Sequence, residues 1–282
     1  MSVLESTGDH LKATTRRILV LGCSGTGKTT LSISASAHAG LVLPSAKRVL
    51  CSDVVLLSGD NEGVAGAVDA NLEPRAVVDF TVCKDWVDYQ RLLTQALNEL
   101  RPLVAAKEVK YIVIDLALPE RLIREQVNPD SSREWTAVAV QGSKLFSALG
   151  ALKGATIIGN AQLKSAAVLN EYSTGKHGAD QGAIAAADAK AVGGQRSTFT
   201  NDLVKGVGKI WVECSSFMLA REVRRIKDPM RKDAPIIRKF YTHTQSNPRF
   251  EAKCRFASKL LPTEPGERTL HSLLVQAYGD SL

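Results

Sequence analysis

The sequence predicts an α/β fold with a mainly parallel central sheet flanked by helices. Short runs rich in Val, Ile and Leu alternate with segments of helical spacing, as in strands joined by crossover helices. The run over residues 110–115 is apolar without alternation, which is typical of a central strand covered on both faces. The predicted strands cover residues 17–21, 53–58, 76–82, 110–115 and 155–159. The predicted helices cover residues 28–39, 86–100 and 138–152.

A glycine-rich loop follows the first predicted strand. Residues 22–30 read Gly-Cys-Ser-Gly-Thr-Gly-Lys-Thr-Thr, a full match to the phosphate-binding pattern G-x-x-x-x-G-K-[ST] between a strand and a helix. Glycines let backbone N–H groups approach phosphate oxygens, and the N-terminal dipole of the following helix adds to their attraction. The predicted nucleotide-binding residues are Gly22, Cys23, Ser24, Gly25, Thr26, Gly27, Lys28, Thr29 and Thr30.

Three residues have predicted roles around the phosphates and a magnesium ion. Lys28 is expected to contact the β- and γ-phosphates, and Thr29 offers a hydroxyl to Mg²⁺. Asp115 ends the apolar strand 110–115, where a carboxylate orients the magnesium shell through water. An aspartate that simply ends a strand is the structural alternative.

Further polar side chains follow two other predicted strands. The strand 53–58 runs into Ser58-Gly-Asp-Asn-Glu62, so Asp60 and Glu62 are expected at the same rim of the sheet as the loop. One of them could polarise an attacking water, and loop solvation is the rival explanation. Asn160 and Gln162 follow the strand 155–159, where a neutral amide could contact a γ-phosphate or a water.

Composition excludes several classes of protein. The five cysteines are scattered and form no C-x-x-C pair, so neither a disulfide framework nor a zinc site is indicated. No apolar stretch approaches the ~20 residues that span a bilayer. We therefore expect a cytoplasmic protein in a reducing compartment, with no membrane partner.

Positive charge is concentrated in one segment. Residues 221–255 contain eleven Lys or Arg and four Asp or Glu, an excess that equals the net charge of +7 for the whole chain. Such a segment is a candidate surface for a phosphate backbone, or alternatively a solvated hairpin face. The candidate contacts in it are Arg224, Arg225, Arg231 and Lys232.

The chain is expected to form one large domain with two short appendages. Residues 1–16 are predicted as an N-terminal extension, 17–260 as the core and 261–282 as a tail with an amphipathic stretch over 270–278. Within the core, 164–206 is rich in Ala, Gly and polar residues, as in long functional loops. Shorter strands, expected to add antiparallel to the sheet, are predicted over 208–214, 217–226, 235–243 and 250–256.

In this order, the motifs resemble those of the RecA-like recombination ATPases, most closely the phage-encoded single-strand annealing branch, over about residues 17–260. The resemblance implies that Asp60-Asn-Glu62 supplies the catalytic carboxylate as Glu62, and that 111–115 is the Walker B strand. It implies a polar sensor at Asn160-Ala-Gln162, with Gln162 favoured. Lys253 and Arg255 match the basic pair that reaches the nucleotide of a neighbouring subunit. Leu116 departs from the Ser or Thr frequent after Walker B.

The same resemblance implies a recombination function. It implies ATP and Mg²⁺ as cofactors, single-stranded DNA and a single-strand DNA-binding protein as partners, and a homo-oligomeric ring or filament. The segment 164–206 takes the place of the DNA-binding loop, with Lys164, Lys176 and Arg196 as contacts.

Two alternative functions stay open. One is a small-molecule kinase, in which the stretch 118–134 with Arg121, Arg124 and Arg133 imitates an arginine-bearing lid. The other is a nucleotide-dependent DNA-binding scaffold with negligible hydrolysis.

Overall fold

The computed structural model describes residues 15–22, 27–41, 48–128, 132–162, 207, 211, 217–225, 236–241 and 269–278 of the chain. Its strands are β1 (Arg16–Gly22), β2 (Val49–Ser58), β3 (Leu72–Asp79), β4 (Tyr111–Asp115), β5 (Thr156–Gln162), β6 (Phe217–Arg225) and β7 (Ile236–Tyr241). Its helices are α1 (Lys28–Ile33), α2 (Asn61–Asp69), α3 (Trp86–Ala105), α4 (Ala117–Val127), α5 (Ser132–Gly150) and α6 (Leu270–Tyr278), with a 3₁₀ turn at Ala37–Leu41.

The strands form one sheet in the order β3-β2-β4-β5-β1-β6-β7. The five strands from β3 to β1 are all parallel, which confirms the predicted α/β class. Beyond β1, β6 pairs with β1 in parallel and β7 pairs with β6 antiparallel. The parallel pairing of β6 differs from the antiparallel addition that the sequence predicts. Residues far apart in sequence need no hairpin, so either direction is open to them.

Helices cover both faces of the sheet and create two cores. Along β1, Leu19 and Leu21 face the core under α3, α4 and α5, whereas Ile18 and Val20 face the core under α1, α2 and α6. All four are fully buried, as expected for a strand with no solvent-facing side. The predicted absence of alternation in the central strands follows from this sandwiching.

The last described helix, α6, packs against α1. Leu270, Leu273 and Leu274 are fully buried in the second core. The Leu270 N–H donates to Ser34 Oγ at 2.8 Å, and the His271 N–H donates to the Ser34 carbonyl at 2.9 Å. The C-terminal end of α1 is therefore held by a segment more than 230 residues away in sequence.

Asp side chains fix where two helices begin. Asp85 Oδ1 accepts a hydrogen bond from the Asp88 N–H at 2.8 Å and so caps α3. Asp60 caps α2 by accepting the Glu62 N–H.

The sequence pattern after Ser58 predicts a loop rather than α2, because the two glycines of α2 weaken the helical pattern. The sequence does not predict α4 either. No helix in the described parts of the chain is both long and apolar enough to span a membrane.

The predicted strand over 208–214 is wrong at Trp211, which is helical, as is Val207. The two residues lie four apart and both are buried, a spacing that belongs to one face of a helix. Trp211 packs edge-on against Phe146 with ring centroids 5.1 Å apart. The rest of the stretch and the predicted strand 250–256 lie outside the described residues.

Trp211 leaves room for no side chain at Gly159 of β5. A Cβ atom there would lie 2.8 Å from Trp211 Cε3 and 3.0 Å from Leu116 Cδ1. We expect Gly159→Ala to lower the free energy of unfolding by about 1–3 kcal/mol, measured by urea denaturation. Gly66→Ala is the matched control, because a Cβ at Gly66 on α2 meets nothing within 4 Å. In the control, the free energy of unfolding should rise by about 0.5–1 kcal/mol. Equal losses of stability at both positions would contradict the packing argument.

Candidate functional site

The carboxyl ends of four parallel strands meet at one rim of the sheet. β1 ends at Gly22, which pairs with Gln162 of β5, and Asp115 of β4 pairs with Asn160 of β5. β2 ends beside them at Ser58. The rim therefore gathers predicted site residues from distant parts of the chain, as in other open α/β sheets.

The two ends of the phosphate loop (residues 22–30) have the expected strand-to-helix geometry. Gly27 adopts φ 74° and ψ 34°, a left-handed conformation that favours glycine, and its carbonyl accepts the Leu31 N–H at 3.0 Å. Lys28, Thr29 and Thr30 form the first turn of α1. The middle of the loop, Cys23, Ser24, Gly25 and Thr26, lies outside the described residues.

Asp115 is a partly buried carboxylate with charged neighbours. Its pKa is raised, mainly by burial and to a smaller extent by the nearby Asp60 carboxylate. The hydrogen bond from the Ala117 N–H and the Lys28 ammonium act in the opposite direction and lower the pKa. Its Oδ1 accepts the Ala117 N–H at 3.0 Å, which fixes the side chain at the start of α4. Lys28, Asp60 and Asp115 therefore lie close enough to interact electrostatically.

The turn between β2 and α2 holds Asp60 rigidly. Ser58 Oγ donates to the Asp60 carbonyl at 2.9 Å and accepts from the Asp60 N–H at 3.2 Å. Asp60 Oδ1 accepts the Glu62 N–H at 2.8 Å. Glu62 itself is exposed in the first turn of α2. Asp60 is exposed as well, as the cap residue that precedes α2.

Gly63 allows α2 to approach α1 closely. A Cβ atom at Gly63 would lie only 2.8 Å from Thr29 Oγ1 and 3.5 Å from Asp60 Oδ2. The Thr29 hydroxyl and the second carboxylate oxygen of Asp60 therefore border the same small space. Sequence reasoning missed this contact, although the glycine three positions after Asp60 is its signal.

Asn160 and Gln162 have different surroundings. Asn160 is 1% exposed, and its Oδ1 accepts a hydrogen bond from Ser32 Oγ of α1 at 2.6 Å. Among the described residues, its Nδ2 has no hydrogen-bond partner. Gln162 is half-buried and lines a pocket at the rim. Asn160 thus ties α1 to the sheet, whereas Gln162 is open to a ligand.

The pocket has a volume of about 450 Å³ and lies between the strand ends and α4. Arg121 and Arg124 on α4 form ion pairs at 3.7 Å with Glu125 and Glu120, respectively. The charged or amide side chains that line the pocket are Asp60, Asp115, Glu120, Arg121, Arg124 and Gln162. The pocket is therefore polar, with both signs of charge.

The donor set suits magnesium in the presence of a nucleotide. Thr29 offers a hydroxyl, and Asp60 and Asp115 offer carboxylates, which are the hard oxygen ligands that Mg²⁺ prefers. No group of three or more His, Cys, Asp or Glu side chains that could hold a metal occurs in the described ranges. Mg²⁺ takes one or two carboxylates and completes its shell with water and phosphate.

Most of the predicted DNA and intersubunit contacts lie outside the described residues: Lys164, Lys176, Arg196, Arg231, Lys232, Lys253 and Arg255. Arg224 and Arg225 are in β6, paired in register with Ile237 and Ile236 of β7. The backbone of β6 thus places both arginines next to the antiparallel edge strand.

Because burial raises the pKa of Asp115, the charged carboxylate that the candidate site needs lowers the stability of the folded protein. Because the folded-state pKa lies above the ordinary value, its stability contribution is present in acid and is lost as the pH rises through the raised pKa. We expect Asp115→Asn to melt at a higher temperature than the wild type above that pKa and at the same temperature in acid. Asp79→Asn, at an exposed turn where Oδ1 accepts the Thr81 N–H at 2.8 Å, is the control and should show no such gain. A wild-type melting profile for Asp115→Asn at all pH values would contradict the burial argument.

No protein-family model matches this chain, and no curated protein gives a significant match to it.

Proposed function

We propose that this protein is a RecA-like P-loop ATPase that binds single-stranded DNA and promotes annealing or strand pairing in phage-type recombination. The observation that carries the proposal is the full phosphate-loop motif between β1 and α1, with Lys28, Thr29 and Asp115 at one rim of a parallel sheet. A glycine-rich turn without a ligand would not need a lysine and a carboxylate in this relation.

In the proposed reaction, water attacks the γ-phosphate of ATP in line with the leaving ADP. Lys28 and the N–H groups of the phosphate loop bind the β- and γ-phosphates, and Thr29 and Asp115 hold the magnesium shell. Magnesium, when bound, offsets negative charge on the phosphate oxygens. Glu62 orients the attacking water and Gln162 contacts the γ-phosphate end. Glu62 is exposed before substrate binds, and catalytic contacts often tighten only in the complex.

The proposed DNA contacts come from the segment that follows β5 and from the basic segment 221–255. Gln162 ends β5 and the glycine-rich segment 164–206 follows it directly, so a DNA-bound segment would be covalently continuous with the sensor. The excess positive charge of residues 221–255 supports a phosphate-backbone surface. Lys253 and Arg255 from a neighbouring protomer would complete the site, which makes hydrolysis depend on a ring or filament. The proposed setting is the cytoplasm of the host.

The rim pocket favours a small-molecule kinase as a second candidate. Arg121 and Arg124 line it together with Asp115, and arginines bind the phosphate or carboxylate of an acceptor well. A kinase would transfer the γ-phosphate to that acceptor, whereas the ATPase would transfer it to water. Hydrolysis without an acceptor separates the two.

The first test is turnover of ATP by the wild type and by Lys28→Ala, with and without single-stranded oligonucleotide. We expect DNA to raise wild-type hydrolysis, and Lys28→Ala to lose ATP binding or turnover by orders of magnitude, because the variant removes a charge from the phosphates. Lys153→Ala, at an exposed position away from the pocket, is the control and should match the wild type. Unchanged hydrolysis in Lys28→Ala would reject the site. Nucleotide-dependent DNA binding without turnover would favour the scaffold.

The second test is the salt dependence of DNA binding. Neutralising Arg224, Arg225, Arg231 and Lys232 to Gln should weaken binding at every sequence tested. It should also lower the slope of log K against log salt by up to about 3, because each lost phosphate contact removes ~0.7. Gel shifts at several salt concentrations measure both quantities.

The control for this test removes the same charge elsewhere. Neutralising the exposed residues Lys84, Arg91, Arg101 and Lys153 to Gln should change the slope much less. Equal effects of the two sets would mean that net charge, rather than the segment 221–255, attracts DNA.

A further inference from the structure

The Asp60 carboxylate has one oxygen that the helix cap does not use. Oδ1 accepts the Glu62 N–H at 2.8 Å, and Ser58 Oγ forms hydrogen bonds with both the N–H and the carbonyl of Asp60. Capping α2 needs only one acceptor oxygen, which Asn or Ser would supply equally well. The second oxygen is therefore available for another role in a turn that is already rigid.

That second oxygen faces the proposed magnesium ligand Thr29. Oδ2 of Asp60 and Oγ1 of Thr29 lie 3.5 Å and 2.8 Å, respectively, from the place of a Cβ at Gly63. The absence of a side chain at Gly63 keeps the space between the two oxygens open. Asp60 also lines the rim pocket together with Asp115.

A buried amide beside Asp115 points independently to a ligand here. Asn160 is the register partner of Asp115, and its Nδ2 has no partner among the described residues although the side chain is 1% exposed. Its Oδ1 accepts a hydrogen bond from the Ser32 hydroxyl at 2.6 Å, which ties the amide to α1. A buried N–H donor in a native protein is nearly always satisfied, and an oxygen-rich ligand at this rim would satisfy it.

We propose that Asp60 is a positioning residue that hydrogen-bonds, through Oδ2, the water shell of the magnesium ion held at Thr29. The inference rests on the proposed nucleotide site and divides the work of the two neighbouring carboxylates. Asp60, the cap residue of α2, would hold the metal shell, whereas Glu62, in the first turn of α2, would act only on the attacking water. Outer-shell partners of this kind tune metal affinity strongly.

The test is the Mg²⁺ dependence of nucleotide binding, measured with a fluorescent ATP analogue on the full chain and without turnover as a readout. In Asp60→Asn, we expect the half-saturating Mg²⁺ concentration to rise about tenfold or more. Binding in the absence of Mg²⁺ should be unchanged or tighter, because a negative charge near the phosphates is lost. Asn keeps the cap of α2, so folding should be preserved.

Two variants separate this role from capping and from catalysis. Asp85→Asn changes the corresponding cap of α3, outside the rim pocket, and should match the wild type in every measurement. Glu62→Gln should keep the wild-type Mg²⁺ dependence while its turnover falls by orders of magnitude.

The outcomes distinguish the inference from the function on which it rests. Wild-type Mg²⁺ dependence in Asp60→Asn, or a raised requirement in Glu62→Gln instead, overturns the role of Asp60 and leaves the nucleotide site standing. A wild-type protein that binds no nucleotide overturns both. If Asp60→Asn does not fold, Asp60→Ser decides the question, because serine also caps a helix start but has no second oxygen, and its wild-type Mg²⁺ dependence rejects the inference.

Discussion

The parallel register of β1, β5 and β4 is the constraint on which the candidate site depends. It sets Gly22 opposite Gln162 and Asp115 opposite Asn160, so one strand, β5, aligns the start of the glycine-rich loop with the Asp115 carboxylate. A slip of one residue would turn every side chain to the opposite face, which both cores forbid. The two hydrophobic cores thus define the positions of the polar atoms at the rim.

Much of the fold and the framework of the site could be predicted because their signals are local. The phosphate loop is a contiguous pattern, and Asp115 closes an apolar run whose two-sided burial is visible in its lack of alternation. The five parallel strands follow from the same runs. Segments with weak or mixed signals could not be predicted: α2 contains Gly63 and Gly66, and the stretch 208–214 predicts a strand where Trp211 is helical.

The contacts that complete the site could not be predicted, because they join residues far apart in sequence. Ser32 and Asn160 are separated by 128 positions, and nothing near either residue indicates the other. The difference between Asp60 and Glu62 depends on where α2 begins, and helix starts are uncertain by one or two residues. Two positions along that turn separate the carboxylate that caps α2 from one inside its first turn. The rim also carries a stability cost, since burial disfavours the charged form of Asp115.

The packing of α6 on α1 determines when, during synthesis, α1 becomes fully covered. β1 and α1 leave the ribosome before α6 does, but the core that covers Ile33 includes Leu270, Leu273 and Leu274. This apolar face of α1 stays incompletely covered until synthesis has passed residue 274, because a core is complete only when all of its segments are present. The helix that begins at Lys28 therefore waits for more than two hundred further residues before it is fully enclosed.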